Sequence, residues 1–219
     1  SDTLSASQSS FFILNLITMS KYIEDTCLCP STNQLICYYQ EVYGIDISEI
    51  TDMQFSVNPD LPAVMAVSPI HDEDAIIRAQ EHYFKRSHHP YLVPVAQSID
   101  RVQESLHQPR PDGLYLFSHG GMKKPDQHFF GYSYDDAIRK KILFVTAKEY
   151  LLIYGLRLFL QNEPIDEKWW TITGSPWVDG KVVYATVYQN YRRTYLYFKG
   201  RHETWHESGI REINILKYR

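Results

Sequence analysis

The 219-residue chain is 44 % hydrophobic and 22 % charged, the balance of a soluble globular fold, which excludes a disordered chain and a disulfide-stapled miniprotein. A net charge of −4 argues against a chain that holds nucleic acid through its overall charge. The charge is uneven: residues 181–219 carry eight Lys and Arg against three Glu, leaving −9 for the remainder, so the tail suits an anionic partner or a complementary part of the same fold.

Residues 1–10 are polar and Ser-rich and read as a loose arm. Phe12, Ile13, Leu16, Ile17, Tyr22 and Ile23 lie on one helical stripe, giving a first helix that pairs with a second to make an N-terminal helical hairpin over 11–45. The apolar run 11–19 has no basic leader, is interrupted by Asn15 and is far shorter than the roughly 20 residues a membrane span needs. The expected location is therefore the cytoplasm, with no membrane contact. Cys27, Cys29 and Cys37 are odd in number and the Cys27-x-Cys29 spacing is too short to pair easily within itself, which suits reduced thiols in a reducing compartment, and no Cys-x-x-Cys spacing supports a zinc site. Pro30, Ser31, Thr32 and Asn33 supply cap residues for the second helix, and Gly44 stops it.

The centre alternates. Residues 63–67 form a short apolar strand; Ser68 and Pro69 then read as N-cap and first residue of a helix carrying Ile76, Ile77 and Tyr83. Asp72, Glu73 and Asp74 suit its positive end and His88-His89 its negative end. Residues 91–95 suit an edge strand because Pro94 cannot donate, and Ser98 opens a short helix to about His107. Residues 114–117 read as a strand ending in a flexible Ser118-His119-Gly120-Gly121 turn. Ser133 caps a helix over 134–140. Thr146 and Glu149 form a capping box ahead of a Leu-rich helix. The last third is rich in β-formers at 169–173, 181–188 and 194–199, with Asp179-Gly180 as a type I′ hairpin turn.

The sharpest chemical motif is His202-Glu203-Thr204-Trp205-His206, a literal HExxH. On a helix, His202 and His206 would share one face as zinc ligands, Glu203 would activate a zinc-bound water, and Glu212 would stand as third ligand. This reading requires residues 201–209 to be helical. The alternative is a charged turn following a strand, with no cofactor. Ser118 beside His119 lacks the Gly-x-Ser-x-Gly frame of a nucleophile elbow and reads as a polar turn. The tail interleaves aromatic and basic residues: Trp177, Tyr184, Tyr188, Tyr191, Arg192, Arg193, Tyr195, Tyr197 and Lys199. Such a strand pair can stack bases and hold phosphates, or present tyrosines to a protein or peptide.

From about Pro62 to Ile213 the chain resembles an uncharacterised bacterial domain family of unknown function, common in actinobacteria. The likeness runs through strand 63–67, segment 113–121, Ser133-Tyr134-Asp135-Asp136-Ala137 and Thr146-Ala147-Lys148-Glu149. It continues in Thr171-Ile172-Thr173-Gly174-Ser175, and in Gly200 with Thr204-Trp205. That family ends in a Gly…His-Thr-Trp pattern whose histidine falls on Glu203 here, so the resemblance implies a structural role for Thr204-Trp205. It implies a fold and no activity.

Together these readings predict a single α+β domain over 1–219, with N-terminal helices packed on a mixed sheet that ends in a C-terminal antiparallel β-meander. The expected function is cytoplasmic, non-enzymatic binding of an unknown protein or peptide partner through the Tyr-rich C-terminal sheet. A zinc-dependent hydrolase and single-stranded nucleic-acid binding through Arg192, Arg193, Lys199 and Arg201 are the alternatives. An exposed Tyr-rich edge could also pair with its own copy.

Overall fold

The computed structural model describes residues 27–68, 72–87, 92–96, 102–103, 108–188 and 193–216. The expected arm, the first helix of the hairpin, His88-His89, Tyr191 and Arg192 lie outside them. Among the described residues four helices and two sheets make an α+β fold. Helix α1 (Thr32–Tyr38) begins at a reciprocal Ser31/Gln34 capping box and runs into a wider π turn, Tyr39–Tyr43, that stops at Gly44. Helix α2 (Glu73–Arg86) is capped by Asp72, whose carboxylate accepts from Ala75 N at 2.7 Å. Ser68 is therefore not the cap: Asp72, immediately before the helix, takes the free N–H. Glu73 and Asp74 at one end and Lys85 and Arg86 at the other match the helix dipole.

Helix α3 (Tyr134–Arg139) starts at the Ser133/Asp136 capping box. Helix α4 (Ala147–Gln161) starts at Thr146/Glu149 and ends on Asn162 with φ +59°. Nearly every side chain of α4 is buried, because it touches α1 and α2 on one side and strands of both sheets on the other. Leu151, Leu152, Leu156 and Leu158 are each at most 2 % exposed, worth about 1.5–3 kcal/mol apiece. Gly155 permits the close approach of α1 and α2, since a Cβ there would collide with Gln80 Nε2 and Tyr38 OH.

The smaller sheet pairs β1 (Ala63–Val67), β3 (Tyr115–His119) and β8 (Ile213–Leu216) in the antiparallel order β1-β3-β8. Ser118 and His119 belong to β3, opposite Val64 and Ala63, and are not the flexible turn expected. The larger, mixed sheet has the order β2-β6-β5-β4-β7. Its centre is the antiparallel meander β4 (Trp170–Pro176), β5 (Lys181–Tyr188) and β6 (Arg193–Gly200). The β4–β5 turn has Asp179 and Gly180 at φ +71° and +73°, as a type I′ turn needs. Two strands flank the meander in parallel: β2 (Leu92–Ala96), at the edge that Pro94 favours, and β7 (Ser208–Ile210). Val102 and Gln103 pair with Trp177 and Pro176 in extended form, so no helix runs unbroken from Ser98 to His107.

One core surrounds α4 and takes in Met65, Leu116 and Phe117 of the smaller sheet together with Val183, Ala185, Val187 and Leu196 of the larger one. A second, smaller core lies on the outer face of the larger sheet: Ile172, Val182, Tyr184 and Ile210 beneath Phe129, Tyr134, Ala137 and Phe144. Among the described residues no helix is long and apolar enough to cross a membrane.

Candidate functional site

The pleat decides which tyrosines meet. In the β5–β6 register Tyr184 faces Tyr197, Thr186 faces Tyr195 and Tyr188 faces Arg193, and β4 sets Ile172 beside Tyr184. Side chains two residues apart share a face, so Trp170, Tyr184, Tyr188, Tyr195, Tyr197 and Lys199 all stand on the outer one. The second core covers Tyr184 completely; its hydroxyl donates to Glu203 O at 2.7 Å. Burial, then Glu203 and Asp135, hold that phenol well above its ordinary range.

Beyond this roof the rings are open. Tyr188 and Tyr197 are 39 % and 38 % exposed, the large hydrophobics most open among the described residues. Trp170 sits between them, 6.1 Å from Tyr188 and 5.6 Å from Tyr197. Tyr195 lies 5.2 Å from Tyr188, edge to face, and 5.8 Å from Tyr197 in a near-parallel stack. Trp205 closes the row 5.3 Å from Trp170. Lys199 places its ammonium over the Trp205 ring and 5.7 Å from the centre of Trp170, a cation–π arrangement. Desolvation by these rings lowers its pKa, with Glu203, 3.9 Å away, pulling the other way. Partial covering, then Tyr188, raises that of Tyr197.

Trp177, expected on this surface, is 5 % exposed and stacks on Phe198 at 3.9 Å against the inner core. It follows the end of β4, and its bridge to Val102 fixes it on the inner side. Tyr184 is the other correction: the sequence placed it on the binding surface, and the roof closes over it. Arg193 lies in β6 beside Leu92 and Tyr188. Trp170 and Trp205 were missed. Trp170 alternates with the core residue Ile172, a signal that was available; Trp205 was read only as part of the HExxH string.

That string is not helical. Strand β6 runs to Gly200 and β7, which runs in the same direction two strands beyond β5, begins at Ser208, so residues 201–207 cross the outer face in turns. Glu203 accepts from Gly200 N at 2.8 Å, and Trp205 N donates to Ser208 Oγ at 3.0 Å, which fixes the two ends of the crossover. His202 and His206 are exposed, and the nearest acid to His206 is the adjacent Glu207 at 3.6 Å. Glu212 lies beyond β7, bridged to Phe144 and 4.0 Å from His128. His202, Glu203, His206 and Glu212 thus do not converge, and no group of three His, Cys, Asp or Glu among the described residues could hold a metal ion.

A buried ionic cluster sits on the inner side. Arg211 pairs with Asp166 at 2.5 Å and donates to Thr171 Oγ1 and Met122 O; Thr171 Oγ1 donates to the other oxygen of Asp166 at 2.6 Å. Burial raises Asp166 and Arg211 opposes it. Nearby Arg157 donates to Gly121 O at 3.0 Å. His119 accepts from Gly121 N at 3.0 Å through Nδ1. Burial, then Arg211 and Arg157, depress its pKa to about 3, so it is neutral and carries its proton on Nε2. With Arg211 and His119 at 2 % and 4 % exposure, the cluster joins the 120–123 loop, α4, the 162–169 loop and β7 from within. No family model, no curated protein and no solved structure matches the chain.

Proposed function

We propose that this chain is a cytoplasmic, non-enzymatic binding protein that takes an extended, acidic segment of a protein partner on the open aromatic end of β4–β6. The observation that carries the reading is the exposure of Tyr188 and Tyr197 beside Trp170 on a rigid strand frame. Tyrosine and tryptophan on strands offer large contact area at small entropic cost. The acidic character of the partner follows from charge: Lys199 stands among the rings, and residues 181–219 carry a surplus of five positive charges. A partner carboxylate would compete with Glu203 for Lys199 and gain a charge-assisted hydrogen bond. Three free thiols support the reducing compartment.

The test is a titration of the full chain with a random Glu–Tyr copolymer, followed by tryptophan fluorescence, beside a Tyr188→Ser/Tyr197→Ser variant. Saturable binding weakened about tenfold or more in the variant is expected, as for the loss of anchor residues worth over ~1 kcal/mol. Absence of a saturable response removes the acidic-peptide reading. Tighter, salt-sensitive binding of oligothymidine would transfer the surface to single-stranded nucleic acid. A concentration-dependent dimer abolished by the double variant would make the occupant a second copy.

A further inference from the structure

Two thiols at the start of the described chain lie in contact. Cys27 Sγ and Cys29 Sγ are 3.0 Å apart; Cys27 is half-buried and Cys29 exposed. Two backbone-anchored contacts bring them together. Leu28 N donates to Gly121 O at 2.9 Å, pinning the residue between the cysteines, and Cys27 Sγ donates to Gly120 O at 3.1 Å. The glycine turn comes this close because Gly121 has no side chain: a Cβ there would lie 2.5 Å from Cys27 Sγ and 2.9 Å from Leu28 O. The same Gly121 carbonyl accepts from buried Arg157, so the dithiol rests against a fixed turn backed by a positive charge.

We infer that Cys27 and Cys29 form a dithiol site that reduces a low-molecular-weight disulfide and is itself oxidised to a 27–29 disulfide. Cys29, the accessible thiol, loses its proton and attacks one sulfur of the incoming disulfide, whose S–S bond breaks and releases one thiolate. Cys27 then attacks Cys29 Sγ, forming the intramolecular bond and expelling the second thiolate. The two thiolates take up the two protons that the cysteines gave, so one disulfide becomes two thiols and one dithiol becomes a disulfide. Closure shortens the sulfur contact to about 2.0 Å, and Cys27 gives up its hydrogen bond to Gly120 O.

The electrostatics set the order of steps. Burial, and Cys29 as hydrogen-bond partner and charge, push the Cys27 thiol up to about 12, while Arg157 draws it down. Cys27 is therefore a poor first nucleophile. Once Cys29 is capped as a mixed disulfide, both of its contributions vanish while burial and Arg157 remain, so the first step eases ionisation of the thiol needed for the second.

The experiment uses the full chain carrying Cys37→Ser, incubated with oxidised glutathione, quenched with an alkylating reagent and read by intact mass. The native protein is expected to lose the mass of two hydrogens, take up no alkyl group and hold little glutathione adduct. In denaturant the adduct should persist at a fraction at least about tenfold higher, because the preset contact supplies the effective concentration for closure. A lasting adduct on the native chain, two alkylated thiols, or closure equally fast when unfolded would overturn the site. A Cys29→Ser/Cys37→Ser variant should resist the reagent; rapid adduct formation on Cys27 would overturn the order of attack.

Discussion

The outer face of the five-stranded sheet is roofed at its β7 end, over β4 and β5, and open toward β6. Under the roof, Tyr184 packs with Ile172 and Val182 beneath Tyr134 and Phe144, and is fully buried. Tyr197, directly opposite Tyr184 on β6, and Tyr188, two same-face positions further along β5, keep nearly two-fifths of their surface in water. Residue type does not separate the two ends; the covering does. Helix α3 and the Gln127–Phe129 turn seal one end, while at the other Trp205 reaches Trp170 and leaves Tyr188 and Tyr197 open. The roofed tyrosine is thus accounted for by folding, while the open ones are available for a partner.

The largest expected effect lies on the sealed side. Arg211 follows β7, whose Ile210 belongs to the roofed core, and its guanidinium holds Asp166 and Thr171. Arg211→Met leaves Asp166 buried and unpaired, so urea unfolding should show a loss of about 3–5 kcal/mol. A loss under about 1 kcal/mol would mean that β7 and the roof do not depend on this cluster. His119 sharpens the contrast by pH. Its pKa is about 3 folded and about 6.5 unfolded, so between these values the unfolded chain binds the extra proton. Stability should fall as pH drops from about 6.5 to about 3, with a slope from this residue approaching 1.4 kcal/mol per pH unit, an upper limit of about one proton. His119→Asn, whose carbonyl can still accept from Gly121 N, should flatten that slope; an unchanged slope would assign the acid sensitivity to other groups.

Local chemistry made much of this architecture readable. The capping residues Ser133 and Thr146, the stop at Gly44 and the Asp179-Gly180 turn each act within a few residues of themselves. What escaped was non-local. Strand β7 is a three-residue Ser-Gly-Ile segment with no alternation to mark it, and β8 leaves the meander to pair with β3, nearly a hundred residues earlier. Neither choice has a sequence signature, because the partner supplies the reason. The same limit governed the site. Alternation places Tyr184 and Tyr188 on one face, but the roof over one and not the other depends on where α3 lands. The HExxH string is chemically complete, yet its backbone is set by Gly200 before it and Ser208 after it.

At the roofed end, Tyr184→Phe removes only the hydroxyl that donates to Glu203 O, and the expected cost is about 1 kcal/mol, the usual worth of one hydrogen bond. At the open end the matching change should cost less still. Tyr197→Phe removes a hydroxyl whose neighbour is the equally open Tyr188, and its ring keeps its contacts with Trp170 and Tyr195; its stability should lie within about 0.5 kcal/mol of the parent. Paired unfolding curves for the two variants read the comparison directly. If Tyr197→Phe costs as much as Tyr184→Phe, the open end is under structural constraint like the roofed one, and the argument for a partner there weakens. If it costs nothing while Tyr188→Ser/Tyr197→Ser still abolishes copolymer binding, the open rings contribute to recognition without being needed for the fold.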